Sequence, residues 1–338
     1  MTETKNLFAN VAAKTALLFL FTCLISCTLK PTVQNTAAEA SIHLADPTVF
    51  YHGGLYYLYG TVEGKTAEGF EVYTSPDMRT WEGPKGARGG LALKQGDSYG
   101  TKGFWAPQVF FADGRFYMAY TANEQIAIAE SDSPLGPFTH KALVPLAAPV
   151  KQIDPFVFRD EDGKLYLYHV RLQEGNRIFV AEMHPDFSGI KEETLQECIA
   201  AEEPWENTAN AAWPVAEGPT VLKADGLYYL IYSANDFRNP DYAVGYATSQ
   251  SPTGPWLKHP KSPFLSKANT GRNGSGHGDI IKDHNGNMLY VFHTHETDST
   301  VAPRKTAFVK LSISKSQHTN VQEIKIDSSS FFYPALQH

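Results

Sequence analysis

Residues Pro47 to Tyr59 read PTVFYHGGLYYLY, and residues Pro107 to Tyr120 read PQVFFADGRFYMAY. Each is a run of β-branched and aromatic residues, then a short Gly/Asp turn, then a second such run, which is the pattern of a β-hairpin with a tight loop. Three more stretches repeat it: PFVFRDEDGKLYLY from Pro155 to Tyr168, PTVLKADGLYYLIY from Pro219 to Tyr232, and DIIKDHNGNMLYVF from Asp279 to Phe292. A period of roughly 50 to 60 residues leaves room for four short strands per unit, so five units predict an all-β chain folded as a five-bladed β-propeller. A second repeat falls late in three of the units: Ser75-Pro76-Asp77 with Trp81, Ser133-Pro134-Leu135-Gly136-Pro137-Phe138, and Ser251-Pro252-Thr253-Gly254-Pro255-Trp256. There a turn is expected to lead into an outer strand.

Composition agrees. Aromatic residues make up 12% of the 338 and charged residues only 19%, as suits a chain that is mostly strand with Tyr and Phe paired across sheets. The net charge is −7 and no Lys/Arg cluster occurs, which argues against nucleic acid as a partner. Near the start, Lys5 and Lys14 precede an uncharged, largely apolar stretch from Thr15 to Ser26, too short to span a bilayer but right for the h-region of a signal. It ends in Leu24-Ile25-Ser26-Cys27, which resembles a bacterial lipobox. Residues 1–27 are therefore expected to be a lipoprotein signal peptide with Cys27 lipidated, a plain secretory signal cut near Ala37 to Ala40 being the alternative. Either takes the protein out of the cytoplasm; the lipobox places it in the bacterial cell envelope, at the outer-membrane surface or in the periplasm, with a lipid anchor on Cys27 as the sole membrane contact. Cys198 is then left alone, so no structural disulfide is expected. Residues 28–41 read as a polar tether and 42–338 as the propeller, with Val321 to Ile326 a candidate closing strand.

Acidic residues punctuate the repeat. Asp46 stands in ADPTVF (45–50), Asp154 in IDPFVF (153–158) and Glu217 in EGPTVL (217–222), each just before a hairpin's first run, with Ala106 and Gly278 at the other two equivalent positions. A repeat fold can aim three such carboxylates at one point. Glycoside hydrolysis needs an acid to protonate the leaving oxygen and a second carboxylate to activate water or attack the anomeric carbon. A third negative charge nearby can raise the acid's pKa and orient it.

Taken in order, Asp46-Pro47, Trp105-Ala106-Pro107, Asp154-Pro155, Glu217-Gly218-Pro219 and Gly276-His277-Gly278 resemble glycoside hydrolase family 43, over roughly residues 42 to 313. That family's members are five-bladed propellers that hydrolyse arabinose, xylose or related linkages with inversion. The resemblance implies Asp46 as the general base, Glu217 as the general acid, and Asp154 as the residue that tunes and orients the acid. The retaining, sucrose-type propellers carry Asn-Asp-Pro-Asn instead, which Ala45-Asp46-Pro47-Thr48 does not match.

Weaker signals surround these. The resemblance puts His277 beneath the active centre, where some members touch a calcium-like ion through water; a channel histidine without metal is equally consistent. The resemblance implies no required cofactor and allows a structural Ca²⁺ near the propeller axis. In His293-Thr294-His295 alternate residues share a strand face, without an evident third ligand for a metal. Arg304 in Pro303-Arg304-Lys305-Thr306-Ala307 resembles the arginine that enters the sugar pocket of exo-acting members, which implies a closed pocket releasing single sugars. Trp105, Phe104 and Trp213 are candidate stacking platforms for a sugar, whereas Trp81 and Trp256 belong to the outer turns. The long link from 191 to 216, with Glu192, Glu193, Glu197, Glu202, Glu203 and Glu206, reads as a solvated insertion of helix and loop shaping the rim.

The expected activity is an inverting exo-glycoside hydrolase on an oligo- or polysaccharide, in the first place an α-L-arabinofuranosidase, with acid and base about 6.5 to 9.5 Å apart. A β-xylosidase, an exo-β-galactofuranosidase or an endo-arabinanase would use the same three carboxylates. A glycan-binding propeller without turnover is the alternative outside enzymes.

Overall fold

The computed structural model describes residues 40–315 and 322–337. The signal segment with Cys27, the tether up to Glu39, and Val321 lie outside them. Each of the five hairpins forms the two inner strands of an antiparallel sheet. Blade one continues from Ala45–His52 and Leu55–Thr61 to Tyr73–Ser75 and Thr80–Glu82, and blade two comprises Trp105–Ala112, Arg115–Ala122 and Gln125–Ser131. Blade three is Gln152–Arg159, Leu165–Leu172, Asn176–Glu182 and Gln196–Ile199; blade four is Ala216–Ala224, Leu227–Ala234, Ala243–Ser249 and Leu257–Lys258. Blade five is Gly276–Lys282, Met288–Thr294, Lys305–Lys315 and Gln322–Phe332. The innermost strands neighbour one another in a closed ring, one to two through to five and back to one, which makes the fold a five-bladed propeller.

Each of the five gaps between blades holds its own apolar cluster. Tyr59, Phe70, Val109 and Tyr120 pack between blades one and two, and Ala119, Val157 and Leu167 between two and three. Tyr168, Val180, Val221 and Leu230 fill the third gap, Tyr229, Tyr246, Tyr290 and Phe292 the fourth, and Leu58, Trp81, Val291 and Phe308 the last. Alternation along a strand sends successive side chains to opposite faces, so each blade feeds two clusters. The tyrosine that ends the hairpin repeat is fully buried in blades one to four, and burial requires its hydroxyl to find a partner. Tyr59 donates to the Pro134 carbonyl (2.6 Å), Tyr120 to the Tyr99 carbonyl (2.7 Å), Tyr168 to the Pro252 carbonyl and Tyr232 to Glu206 (2.5 Å). Pro134 and Pro252 belong to the Ser-Pro turns of the next blade, so the two sequence repeats meet through these bonds.

Two expectations are corrected by the outer strands. Residues 322–326 are part of the fourth strand of blade five; closure is made by Ala335–Gln337, which lies parallel to Thr80–Glu82 of blade one and antiparallel to Ala40–Ser41. Ala40 and Ser41, expected in the tether, are thus a paired strand that covers what would be an open sheet edge. The 191–216 link also differs from a solvated helix and loop. Two single 3₁₀ turns, Glu192–Thr194 and Pro204–Glu206, flank the outer strand of blade three, and Glu206 is wholly buried. Its carboxylate accepts from Lys258 Nζ (2.6 Å), the Tyr232 hydroxyl and the backbone N–H groups of Glu202 (2.6 Å) and Glu203 (2.7 Å), which anchors the insertion to blade four.

Candidate active site

The site grows from a bulge repeated at the mouth of every inner strand. Asp46, Ala106, Asp154, Gly218 and His277 have φ of 49°, 46°, 55°, 60° and 42°, and the strand register shifts at each. Non-glycine residues seldom adopt such angles, and four of the five here are not glycine. The strain is held by a ring of hydrogen bonds between blades. The bulge N–H is caught by a side chain on the second strand of the preceding blade: Ala106 by Thr61 Oγ1 (3.0 Å), Asp154 by Thr121 Oγ1 (2.9 Å), His277 by Ser233 Oγ (2.7 Å) and Asp46 by His293 Nδ1 (3.1 Å). At the equivalent place on blade three stands Val170, which has no acceptor. There the Gly218 N–H donates to Asp154 Oδ2 instead (3.2 Å).

This corrects the sequence alignment of the acids. Asp46 and Asp154 are bulge residues, but in blades four and five the bulge is Gly218 and His277, so Glu217 precedes it by one and Gly278 follows it. Glycine is needed at 218 because a Cβ there would sit 2.8 Å from the His277 ring, besides the positive φ. Glu217 still reaches the site: it lines, with Asp46, Asp154, His277 and Arg304, one pocket of about 400 Å³.

Asp46 sits among donors. Its Oδ2 accepts from the Thr61 hydroxyl (2.7 Å) and its Oδ1 from Arg304 Nη1 (3.1 Å), with His277 Nδ1 at 3.4 Å. Burial pushes the carboxyl's pKa up, but the Arg304 charge, the two histidines and the Thr61 hydroxyl outweigh it and hold the group well below the usual carboxylate range. Arg304 is itself fixed, its Nε and backbone N–H donating to Glu63 (2.8 and 2.6 Å) and its guanidinium lying 4.3 Å from the centre of the Phe237 ring. Burial and the Arg304 charge keep His293 neutral, and its ring lies between two donors, the Asp46 N–H at Nδ1 (3.1 Å) and Arg304 Nη1 at Nε2 (3.2 Å).

Glu217 has the opposite environment. Burial and the charge of Asp46 push its carboxyl up to about 7, against two hydrogen bonds that favour the anion. Those bonds come from the Tyr242 hydroxyl to Oε1 and from Asn176 Nδ2 to Oε2, both 2.9 Å. Asn176 is turned the right way by Trp213, whose indole N–H donates to Asn176 Oδ1 (2.9 Å). Asp154 is also pushed up, by burial, Glu217 and Asp46, so the Asp154/Glu217 pair retains a proton where Asp46 has none.

Among the other expected residues, Trp105 and Trp213 line the pocket, Trp213 about half exposed at 49%. Phe104 does not: it is fully buried in the cluster between blades one and two, stacked on Tyr120 and edge-on to Phe70. Adjacent residues of an extended chain face opposite ways, so Trp105 in the pocket sends Phe104 into the core. His295 is tied to the Phe237 carbonyl (2.8 Å) rather than paired with His293. For the metal expected at His277, no group of three or more His, Cys, Asp or Glu among the described residues is placed to hold a metal ion. Calcium takes six to eight oxygens, and two of the side chains lining the axial channel are engaged: Asp279 accepts from Thr48 (2.6 Å) and Ile280 N–H (2.7 Å), and Gln108 Oε1 from Val157 N–H (2.6 Å). The donor set does not fit a calcium ion held directly by protein, and no step below passes through one.

Asn176, Tyr242, Glu63 and Phe237 escape the sequence reading because they come from third strands and connecting loops outside the hairpin repeat. Thr61 had a signal, as the hairpin register that pairs it with Ala45 puts it beside Asp46.

One carboxylate held ionised and another held protonated, facing a shared pocket at a propeller mouth, is the equipment of an acid and base hydrolase. The chain belongs to the glycosyl hydrolases family 43, whose profile matches residues 40–317. It is similar to the crystal structure of an endo-1,4-β-xylanase from Bacteroides thetaiotaomicron, at 40% identity and a TM-score of 0.80 over 88% of this chain and 98% of that one. It is also similar to a β-D-galactofuranosidase from Aspergillus niger, 24% identical over 83% of each chain, and to an extracellular exo-α-(1→5)-L-arabinofuranosidase from Streptomyces avermitilis, 26% identical over 86% of this chain and 62% of that one.

Proposed function

We propose that the chain is an inverting, exo-acting glycoside hydrolase that releases α-L-arabinofuranose from the ends or branches of a plant-type glycan. The observation that carries the chemistry is the split between Asp46, ionised beside Arg304, and Glu217, raised to about 7. In a single displacement Asp46 takes a proton from water as the water oxygen bonds to the anomeric carbon. The glycosidic C–O bond breaks, Glu217 gives its proton to the departing oxygen, and the sugar leaves with inverted configuration. Asp154 holds the Gly218 N–H and so positions the Glu217-Gly218 turn. Exo action is supported by Arg304, held by Glu63 and lying over Phe237, which lines the pocket beside Asp46.

The test is hydrolysis of aryl α-L-arabinofuranoside, β-D-xylopyranoside and β-D-galactofuranoside by the chain starting after Cys27, with Glu217→Ala as control. Turnover of the arabinofuranoside, lost in the control, is expected; turnover of another substrate renames the sugar, and silence on all three overturns the exo reading. Asp46→Asn should abolish turnover on every substrate. An endo-acting reading on β-xylan is favoured by one observation, the name of the 40% identical structure, and product size from linear xylan and arabinan separates the two. The lipobox supports anchoring at the cell envelope, tested by fatty-acid labelling that Cys27→Ala should remove.

A further inference from the structure

The two histidines of His293-Thr294-His295 have different partners. His293 meets Asp46 and Arg304, whereas Nε2 of His295 bonds the Phe237 carbonyl (2.8 Å). A carbonyl only accepts, so that nitrogen carries a hydrogen and donates it. The His295 ring is buried, at 6% exposure, and closely seated: a Cβ at Gly274, where φ is 62°, would lie 1.9 Å from its Cδ2. His295 is therefore built into the fold, and what it grips is a loop of the neighbouring blade. That loop joins the second and third strands of blade four and carries Asp236 and Phe237 into the carboxylate pocket. Its ends are tied by Asn235, whose Oδ1 accepts from the Thr208 N–H (2.8 Å) and whose Nδ2 donates to the Asp241 carbonyl (3.1 Å). Its middle is held from blade five and the turn before it, by Gly274 N–H on the Pro240 carbonyl (3.3 Å) and by His295 on Phe237.

Of those two bonds, the one from His295 acts on a residue whose side chain lines the pocket. The Phe237 ring centre lies 4.3 Å from the Arg304 guanidinium, and Arg304 Nη1 donates to Asp46 Oδ1 (3.1 Å). Contacts in series thus lead from His295 through Phe237 and Arg304 to Asp46. We propose that His295 is a positioning residue for hydrolysis: its bond to the Phe237 carbonyl holds the Phe237 ring against Arg304, and so fixes the guanidinium beside Asp46. This rests on the reading of the pocket as a glycosidase site with Asp46 as its base. Glu63 grips Arg304 independently, through Nε (2.8 Å) and the backbone N–H (2.6 Å), so loss of the His295 bond loosens the guanidinium without freeing it. A cation–π contact out of water corresponds to a factor of up to about 30, which bounds the effect.

The experiment compares His295→Leu, which has no donor, with His295→Gln, whose side-chain amide can place an N–H near the position of Nε2. On the aryl glycoside that the parent hydrolyses, kcat/KM should fall about tenfold in His295→Leu and stay within about threefold of the parent in His295→Gln. Phe237→Leu should lose as much, and the double variant His295→Leu/Phe237→Leu no more, because both remove the same support of Arg304. A histidine that only stabilised the fold would lower the melting temperature and give additive losses. Additive losses, or the parent's kcat/KM in either single leucine variant, overturn the inference, and Phe237→Leu keeps the test open if His295→Leu does not fold. Hydrogen exchange of residues 235–241 is read alongside and needs no turnover: it should be faster in His295→Leu and at the parent's rate in His295→Gln. Unchanged exchange in His295→Leu overturns the inference whatever the substrate, whereas a parent inactive on every glycoside fails the reading of the site.

Discussion

At the scale of the residue, the site depends on two carboxyls pushed in opposite directions. With Glu217 raised to about 7, kcat/KM should fall as pH rises through about 7, while Asp46 stays ionised down to well below the usual carboxylate range and imposes no acid limb near neutrality. Asn176→Ala removes a donor that favours the Glu217 anion, so the alkaline limb should move upward; a limb that stays or moves down contradicts the Asn176 role. The same shift carries a stability penalty. The folded carboxyl holds its proton more tightly than the unfolded one, whose value is 4.5, so the penalty is absent below about 4.5, grows as pH rises, and is complete above about 7. At 1.36 kcal/mol per unit it reaches up to about 3 kcal/mol. Glu217→Gln should therefore unfold in denaturant with greater stability than the parent at pH 8 and with a smaller difference at pH 5. Asp46, Asp154 and Glu217 were legible in the sequence because they interrupt a repeat at its strand mouths. The residues that set their charge were not, since Asn176, Tyr242 and Glu63 reach the site by tertiary packing with no local pattern.

At the scale of the element, the bulge explains why the mouth of each blade accepts strained backbone. Every bulge N–H is caught by the neighbouring blade, and where Val170 cannot do so Asp154 does. Thr121→Val should leave the Asp154 N–H buried without an acceptor and cost about 1 to 3 kcal/mol in denaturant unfolding, with loss of kcat. An unchanged stability would mean the ring of bonds is incidental. Hairpins were readable from their period-two runs and Gly/Asp turns. The bulge was not, and its one-residue offset is why Glu217 and Asp46 looked equivalent although only Asp46 sits on the strained residue. Likewise Glu206 looked like one more solvated glutamate of a polar stretch; its burial follows from Lys258 and Tyr232, both distant in the chain.

At the scale of the whole molecule, the described residues form a ring closed by short strands, and Cys198, the one cysteine among them, is free. Ala335–Gln337 bridges Ala40–Ser41 and Thr80–Glu82, so deleting residues 335–338 should lower the melting temperature and broaden the transition. A deletion with the parent's sharp transition would assign closure to the apolar cluster between blades five and one alone. The ring aims one carboxylate, Asp46, from blade one and another, Glu217, from blade four into a single pocket, and hydrolysis depends on their division of labour. The most direct measurement is kcat/KM of the parent and Glu217→Gln on glycosides of one sugar graded by the acidity of the leaving alcohol. Glu217→Gln should lose about 10² to 10⁴ with a sugar or alkyl leaving group and near nothing with dinitrophenol, which needs no proton to depart. An equal loss across the series would contradict Glu217 as the acid.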